Sequence, residues 1–313
     1  MRQLDLGKSG FWAPEISLGC MRMKDLAVAE ATKVIHAALD SGINFFDHAD
    51  IYGLNGLSEE IFGKAIKELG IQREDMLLQT KCGIEISSAP GKVTAFNFSK
   101  NYIITCLEQS LTRLQVEYVD VLVLHRPDTL FEPEEVAAAF DLLHTAGKVR
   151  YFGVSNQTLG QMTLLQKHTK HKLIVNQLQF GLAHTGMIDA GLNANMKNPA
   201  SVDHDGGILD HCRLHDITIQ AWSPFRSAIT GNAFLDDPNY FDLNATLNEL
   251  AEKYQVSKEA VAATWILRHP AAMQVIIGSM NPSRIEKSAK ATSFSLTRDE
   301  WYALYLSAGN ILP

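Results

Sequence analysis

The chain has 313 residues, 46% of them hydrophobic and 20% charged, a balance that can bury a sizeable core and excludes a disordered chain. Thirty-five acidic side chains against 28 basic ones leave a net charge of −7, so there is no basic excess to spread along a phosphate backbone and no nucleic-acid partner is expected. A pocket for a small anion needs no such excess.

Other machinery is missing by pattern. The opening MRQLDLGKSG has no apolar signal core, and no apolar run approaches ~18 residues, so neither a secretory signal nor a membrane span is expected. Cys20, Cys82, Cys106 and Cys212 lie far apart without a C-x-x-C, which suggests neither a disulfide framework nor a zinc site and reads as a reduced, cytoplasmic protein. No two glycines stand at G-x-G spacing, so the Rossmann turn is absent, and the P-loop and the G-x-S-x-G elbow are missing too.

Along the chain, short apolar, β-branched or aromatic runs alternate with stretches of helical periodicity. RQLDL, GKSG and FWAPE read as a hairpin, and ISLGC (16–20) as the first strand of a repeating series. A helix at 27–40 leads to the strand INFFDHA (43–49), which ends at Asp47 with Tyr52 five residues on. After a helix at 58–69, MLLQTK (76–81) ends in Lys81; after one at 99–114, VDVLVLH (119–125) ends in His125. Helices at 133–146 and 158–168 flank VRYFGVSN (149–156), which ends in Ser155-Asn156. LIVNQLQF (173–180) carries Gln177 and opens a long connection over 181–207, followed by a helix at 206–215. ITIQAWS (217–223) ends in Trp222-Ser223 and opens a second long connection, 224–243. A helix over 244–269 precedes MQVIIGS (273–279); Asn281-Pro282 then reads as cap and first turn of a helix over 281–290. Thr297 caps a last helix, 297–307, with Asp299-Glu300 in its first turn.

Eight strand–helix repeats after a hairpin predict a (β/α)8 barrel, a TIM barrel with an extra C-terminal helix, spanning 1–313 as one domain. A doubly wound open sheet is the alternative. In a barrel both long connections rise from the C-terminal face, where active sites are built.

Singly, the strand-end residues are ordinary: Asp47 suits a turn, Lys81 the surface, His125 a structural role. A barrel would gather them, with Tyr52, at one mouth. A phenol titrating near ~10 is a poor catalyst at neutral pH. An adjacent ammonium would lower that pKa, a carboxylate would fix the lysine, and an imidazole opposite could hydrogen-bond a substrate oxygen. Such a set can deliver a proton to a carbonyl oxygen, and since no side chain donates hydride, a nicotinamide cofactor is implied.

The D-x-x-x-x-Y followed by Gly, the lysine ending the third repeat strand and the histidine ending the fourth resemble the aldo-keto reductase superfamily. FDHADIYG, KCGI, LHRPD, GKVRYFGVSN, AWS and IIGS are similar to its YdhF-like bacterial branch. The resemblance covers essentially the whole chain. It implies Tyr52 as general acid and base, Lys81 as modulator of its pKa, Asp47 as partner of the lysine, and His125 as the group orienting the carbonyl.

For the cofactor, Ser155, Asn156 and Gln177 match the donors and acceptor of a carboxamide, and the Trp222 indole offers a flat face. The resemblance assigns these roles and adds Cys20, Met21, Ser223, Pro224 and Phe225 to the cofactor set. The helix start at Asn281 suits a phosphate. There the resemblance places an adenosine 2′-phosphate against Ser279 and Arg284, with Ser288 near the adenine. Gly278 stands where many members carry lysine, and Lys287-Ser288 replace a frequent Glu-Asn pair, so NADPH is expected over NADH with a moderated preference.

His211 and His215 share a helix face and His204 lies nearby, but a solvated or capping role suits them better than a metal site. His48 neighbours the matched Asp47, and Cys82 reads as a buried thiol. Arg126 suits either an acidic substrate or a barrel-top ion pair. The expected function is NADPH-dependent reduction of an aldehyde or ketone by a cytoplasmic enzyme, expected to be monomeric, with a small carbonyl substrate and no membrane partner. The rival readings are a Schiff-base lyase using Lys81 and a cofactor-sensing protein on the same fold.

Overall fold

A computed structural model of the protein describes residues 1–86, 93–227 and 229–313. Strands β1 (Gln3–Leu6) and β2 (Phe11–Pro14) form an antiparallel hairpin. The series continues through β3 (Ile16–Gly19), β4 (Phe45–Asp47), β5 (Leu77–Cys82), β6 (Ile84–Ile86), β7 (Val93–Phe96) and β8 (Val119–Leu124). Then come β9 (Val149–Ser155), β10 (Leu173–Gln179), β11 (Thr218–Trp222) and β12 (Gln274–Ile277). Strands β3, β4, β5, β8, β9, β10, β11 and β12 pair in parallel in that order, and β12 returns to β3 to close the ring. That closing pair excludes the open doubly wound sheet, which must end in two unpaired edges.

The outer layer comprises α1 (Val28–Asp40), α2 (Leu57–Leu69), α3 (Lys100–Leu114), α4 (Pro133–Thr145), α5 (Leu159–His168) and α6 (Gly186–Leu192). It continues with α7 (Ile208–Leu214), α8 (Phe241–Tyr254), α9 (Lys258–Leu267), α10 (Pro282–Ala289) and α11 (Arg298–Ser307). None of the described helices is long and apolar enough to cross a membrane.

Strand side chains alternate between the barrel interior and the helical layer. Phe45, Val121, Val123 and Val175 share an interior cluster with Leu6, Phe11 and Ala13, so the hairpin plugs the N-terminal end of the barrel with its own apolar face. The plug needs Gly7: its φ is +63°, and a Cβ there would stand 2.7 Å from the backbone of Ile174. With that end plugged, the C-terminal mouth is the end of the barrel where a ligand can approach the strand ends.

Three segments depart from the sequence reading. The helix expected over 244–269 is two helices, because Gln255 takes a left-handed φ of 55° and Ser257 starts a new cap by accepting from the Ala260 amide. The connection 181–207 is not structureless: α6 lies within it, and Asp189 there accepts from Tyr305 Oη of α11 at 2.7 Å. The β6–β7 hairpin follows β5 and was not anticipated. Position 228, in the second long connection, lies outside the described residues. At the C-terminus the expected cap is observed, with Thr297 Oγ1 accepting from the Glu300 amide and Glu300 from that of Thr297.

Candidate active site

Asp47 ends β4, Lys81 lies one residue from the end of β5, and His125 directly follows β8. These strands are parallel neighbours, and the register steps the three residues toward the mouth: Asp47 lies opposite Gln79, two residues before Lys81, and Lys81 opposite Val123, two residues before His125. Tyr52 arrives from the turn after β4, whose Asp50 amide donates to the Lys81 carbonyl at 3.0 Å. Lys81 Nζ is the hub: it donates to Asp47 Oδ2 at 2.8 Å, to the His48 carbonyl at 2.8 Å and to Tyr52 Oη at 3.0 Å. Three acceptors for three ammonium protons saturate a lysine that is fully buried.

The sequence reading missed what holds Asp47. Gln79 donates to Asp47 Oδ1 at 2.7 Å and Gln177 to the same oxygen at 3.1 Å. Gln79 and Gln177 also both donate to Gln220 Oε1, and Gln220 donates to Gln274, which donates to the Pro14 carbonyl at 2.7 Å. Gln177 pairs with Gln220, and Gln220 with Gln274, across adjacent strands, so one amide layer crosses the barrel beneath the mouth. A signal was available: each of those strands carries a glutamine at an inward position of its alternation. Every amide so bonded spares a desolvation penalty of about 1–3 kcal/mol.

The electrostatics differ from expectation at Tyr52. Burial pushes its phenol above the usual range, and although Lys81 pulls it down, the nearby Asp47 adds to the rise. The expected net lowering by Lys81 therefore fails, because desolvation of a phenolate outweighs one ammonium that Asp47 already half-neutralises. Burial pulls Lys81 downward, but Asp47 and Tyr52 more than offset it, and the ammonium is held above its ordinary pKa. His125 is held well below the usual histidine range by burial, Lys81 and Arg126, and its buried Nδ1 has no partner among the described residues. Its ring meets that of Tyr52 edge-on, with centroids 6.0 Å apart. His48 points elsewhere: it is fully buried against Phe62 behind the strand, and burial lowers its pKa to about 3.

Around the mouth, Trp222 Nε1 donates to Asn156 Oδ1 at 3.2 Å, Asn156 donates to Ser155 Oγ at 2.7 Å, and Ser155 donates to the Gln177 carbonyl at 2.9 Å. Asn156 and Ser223 have left-handed φ of 56° and 50°, a strained turn at the tips of β9 and β11 that sets the direction of both side chains. Pro224 is buried, Phe225 half-buried and Met21 exposed beside the same rim. Beyond β12, the neighbour of β11, Asn281 Oδ1 accepts from the Arg284 amide, so α10 starts where expected. Ser279 Oγ accepts from the Asn281 amide, and Arg284 is exposed with no ion pair among the described residues. A Cβ at Gly278 would meet nothing within 4 Å, so that position is open.

Five residues of the expected cofactor set are buried: Ser155 and Gln177 within the chain of bonds just described, Pro224 at the rim, Cys20 and Ser288. Cys20 is fully buried, with its thiol near the Leu18 carbonyl and pushed well up by burial. Ser288 is 1% exposed and donates to the Arg284 carbonyl at 2.8 Å, turned into the helix rather than toward its start. The Trp222 indole face, the half-buried Asn156 amide and a capped helix start bearing an exposed Arg284 guanidinium fit a nicotinamide dinucleotide. His211 and His215 have ring centroids 4.4 Å apart, and no three His, Cys, Asp or Glu among the described residues are arranged to hold a metal.

Comparison with known proteins bears on this geometry. The family model described as "Aldo/keto reductase family" matches residues 15–305. The 6-dehydroglucose reductase of Novosphingobium aromaticivorans is 34% identical over 320 residues, covering 98% of this chain and 96% of that protein. The oxidoreductase YdhF of Escherichia coli is 33% identical, covering 94% of each. Among solved structures, a Bombyx mori aldo-keto reductase in complex with NADP superposes with a TM-score of 0.74 at 21% identity, over 98% of this chain and 92% of that one.

Proposed function

The chain belongs to the aldo/keto reductase family of nicotinamide-dependent oxidoreductases, and on that premise we propose that it reduces an aldehyde or ketone with NADPH, Tyr52 giving the proton. The observation that carries the proposal is the bonded chain Asp47–Lys81–Tyr52 at the mouth, beside a neutral His125.

Reduced nicotinamide, when bound, supplies hydride to the carbonyl carbon. Ser155, Asn156 and Gln177 would hold its carboxamide, Trp222 would flank its ring, and Ser279 and Arg284 would meet a 2′-phosphate. Tyr52, kept protonated by burial, gives its proton to the carbonyl oxygen as negative charge develops there. Lys81 already donates to Tyr52 Oη, so it stabilises the phenolate left behind without moving. His125 Nδ1 is enclosed with neither donor nor acceptor among the described residues, so Nε2 is the nitrogen left to meet a ligand, and protonated there the ring can donate to the carbonyl oxygen. Four buried, free cysteines support a reducing compartment, the cytoplasm.

A Schiff-base lyase would need neutral Lys81, and the pull of Asp47 and Tyr52 on its proton argues against that. The decisive experiment incubates the protein with a panel of aldehydes and NADPH deuterated at the transferred position. Deuterium at the product's carbinol carbon is expected. Borohydride-trapped adduct on Lys81, with no deuterium transfer, would replace the reductase reading with the lyase.

A further inference from the structure

Resting on the reductase reading, we infer that Arg126 recognises a carboxylate on the substrate, so that the carbonyl compound this site is built for is a monoanionic aldehyde or keto acid.

Arg126 follows His125 at the end of β8 and is half-buried at the mouth. Its guanidinium lies 5.9 Å from the centroid of the Trp222 ring, whose Nε1 reaches back from β11 to Asn156 at the tip of β9, so the two side chains meet over the mouth. The two other arginines that are drawn into the fold are paired: Arg73 with Asp120 at 2.6 Å and Arg113 with Glu59 at 2.8 Å. Arg126 has no ion pair and no hydrogen bond among the described residues. The nearest acid along the chain, Asp128, is committed to the amides of Phe98 and Leu130. The barrel-top salt bridge that would explain this arginine structurally is therefore missing.

A partly desolvated guanidinium with five unused donors is costly to keep and suits a planar, bidentate anion. The charge count selects its valence. The cations acting on His125 are Lys81 and Arg126, and Lys81 is matched by Asp47. One uncompensated positive charge beside the reacting position fits a carboxylate better than a dianionic phosphate. The indole beneath gives the guanidinium a fixed plane, as cation–π contacts do.

The test compares meta- and para-carboxybenzaldehyde with their methyl esters, which keep shape and carbonyl but lose the charge. In the parent enzyme kcat/KM should favour an acid over its ester by about ten- to a hundred-fold, the scale of one charge-assisted contact. In Arg126→Gln that ratio should fall to near one, and in Arg126→Lys it should recover in part. The preference should shrink as salt is raised. Equal kcat/KM for acid and ester in the parent, or a ratio unchanged in Arg126→Gln, overturns the inference while leaving carbonyl reduction intact. If no aldehyde is turned over, the reductase reading falls instead. Quenching of tryptophan fluorescence by the carboxylate and ester in parent and Arg126→Gln then decides the anion site alone: tighter carboxylate binding lost in the variant supports it, and equal binding overturns it.

Discussion

Lys81 Nζ donates to the phenolic oxygen of Tyr52 across 3.0 Å, and the remaining two ammonium protons are taken by Asp47 and the His48 carbonyl. The lysine therefore has a structural duty to a buried carboxylate as well as an electrostatic one to the phenol, and substitutions should separate the two.

Tyr52→Phe keeps the ring and leaves the Lys81–Asp47 pair whole. Turnover should fall by roughly 10²–10⁴ with little change in cofactor affinity, while the ammonium proton that loses its acceptor should cost about 1–3 kcal/mol of stability. Lys81→Met should lose turnover similarly, raise the phenol's titration further and destabilise the fold by about 3–5 kcal/mol, because Asp47 would be left buried with amide partners only. Steady-state kinetics beside denaturant melts reads both. A Phe variant at parental rate would remove Tyr52 from the chemistry.

Arg284→Ala should weaken NADPH binding by about ten- to a hundred-fold and leave NADH nearly unchanged, since only the 2′-phosphate needs that guanidinium. Exposure of Arg284 means the loss should shrink in high salt. Gly278→Lys, at a position where a Cβ meets no neighbour, should raise the NADPH preference. Titration of both cofactors by tryptophan quenching measures this, and equal losses for the two cofactors in Arg284→Ala would refute the phosphate assignment.

Asp50 sits two residues before Tyr52 with Oδ1 unpartnered among the described residues. Burial, then the neighbouring Glu59, push its carboxyl up to about 7, against the smaller opposing pull of Arg113. A carboxyl whose folded pKa lies above its unfolded one favours folding below the unfolded value and loses that advantage as pH rises to the folded value. Stability should thus decline between about pH 4 and pH 7 by an amount on the order of 4 kcal/mol for this group. Asp50→Asn should remove that slope, so the variant gains on the parent as pH rises. Melts of both proteins across that window check it; a difference independent of pH would show that Asp50 titrates normally.

Gly181 joins the two long connections, since a Cβ there would stand 2.2 Å from the Pro224 carbonyl oxygen. Gly181→Ala should cost about 1–3 kcal/mol and, by displacing Pro224, weaken dinucleotide binding. Gly160→Ala, where a Cβ meets nothing within 4 Å inside α5, should instead stabilise by about 0.5–1 kcal/mol. Unchanged melting and cofactor affinity in Gly181→Ala would mean the two connections yield without consequence.

The sequence by itself carried the alternation of strand and helix, the hairpin, the caps at Asn281 and Thr297, and the strand-end positions of Asp47, Lys81 and His125. These are local properties: periodicity, capping chemistry and the order of residues along a strand are written in a few consecutive positions. Tertiary structure alone decided the rest. The ring closure of β12 on β3 brought Gln79, Gln177, Gln220 and Gln274 into one layer under Asp47, from positions nearly 200 residues apart. The phenol of Tyr52 is driven up rather than down because its burial depends on everything packed around it, which no spacing encodes. Arg126 is unpaired for the same reason: whether an acid reaches a guanidinium is a distance in space, set only when the barrel closes.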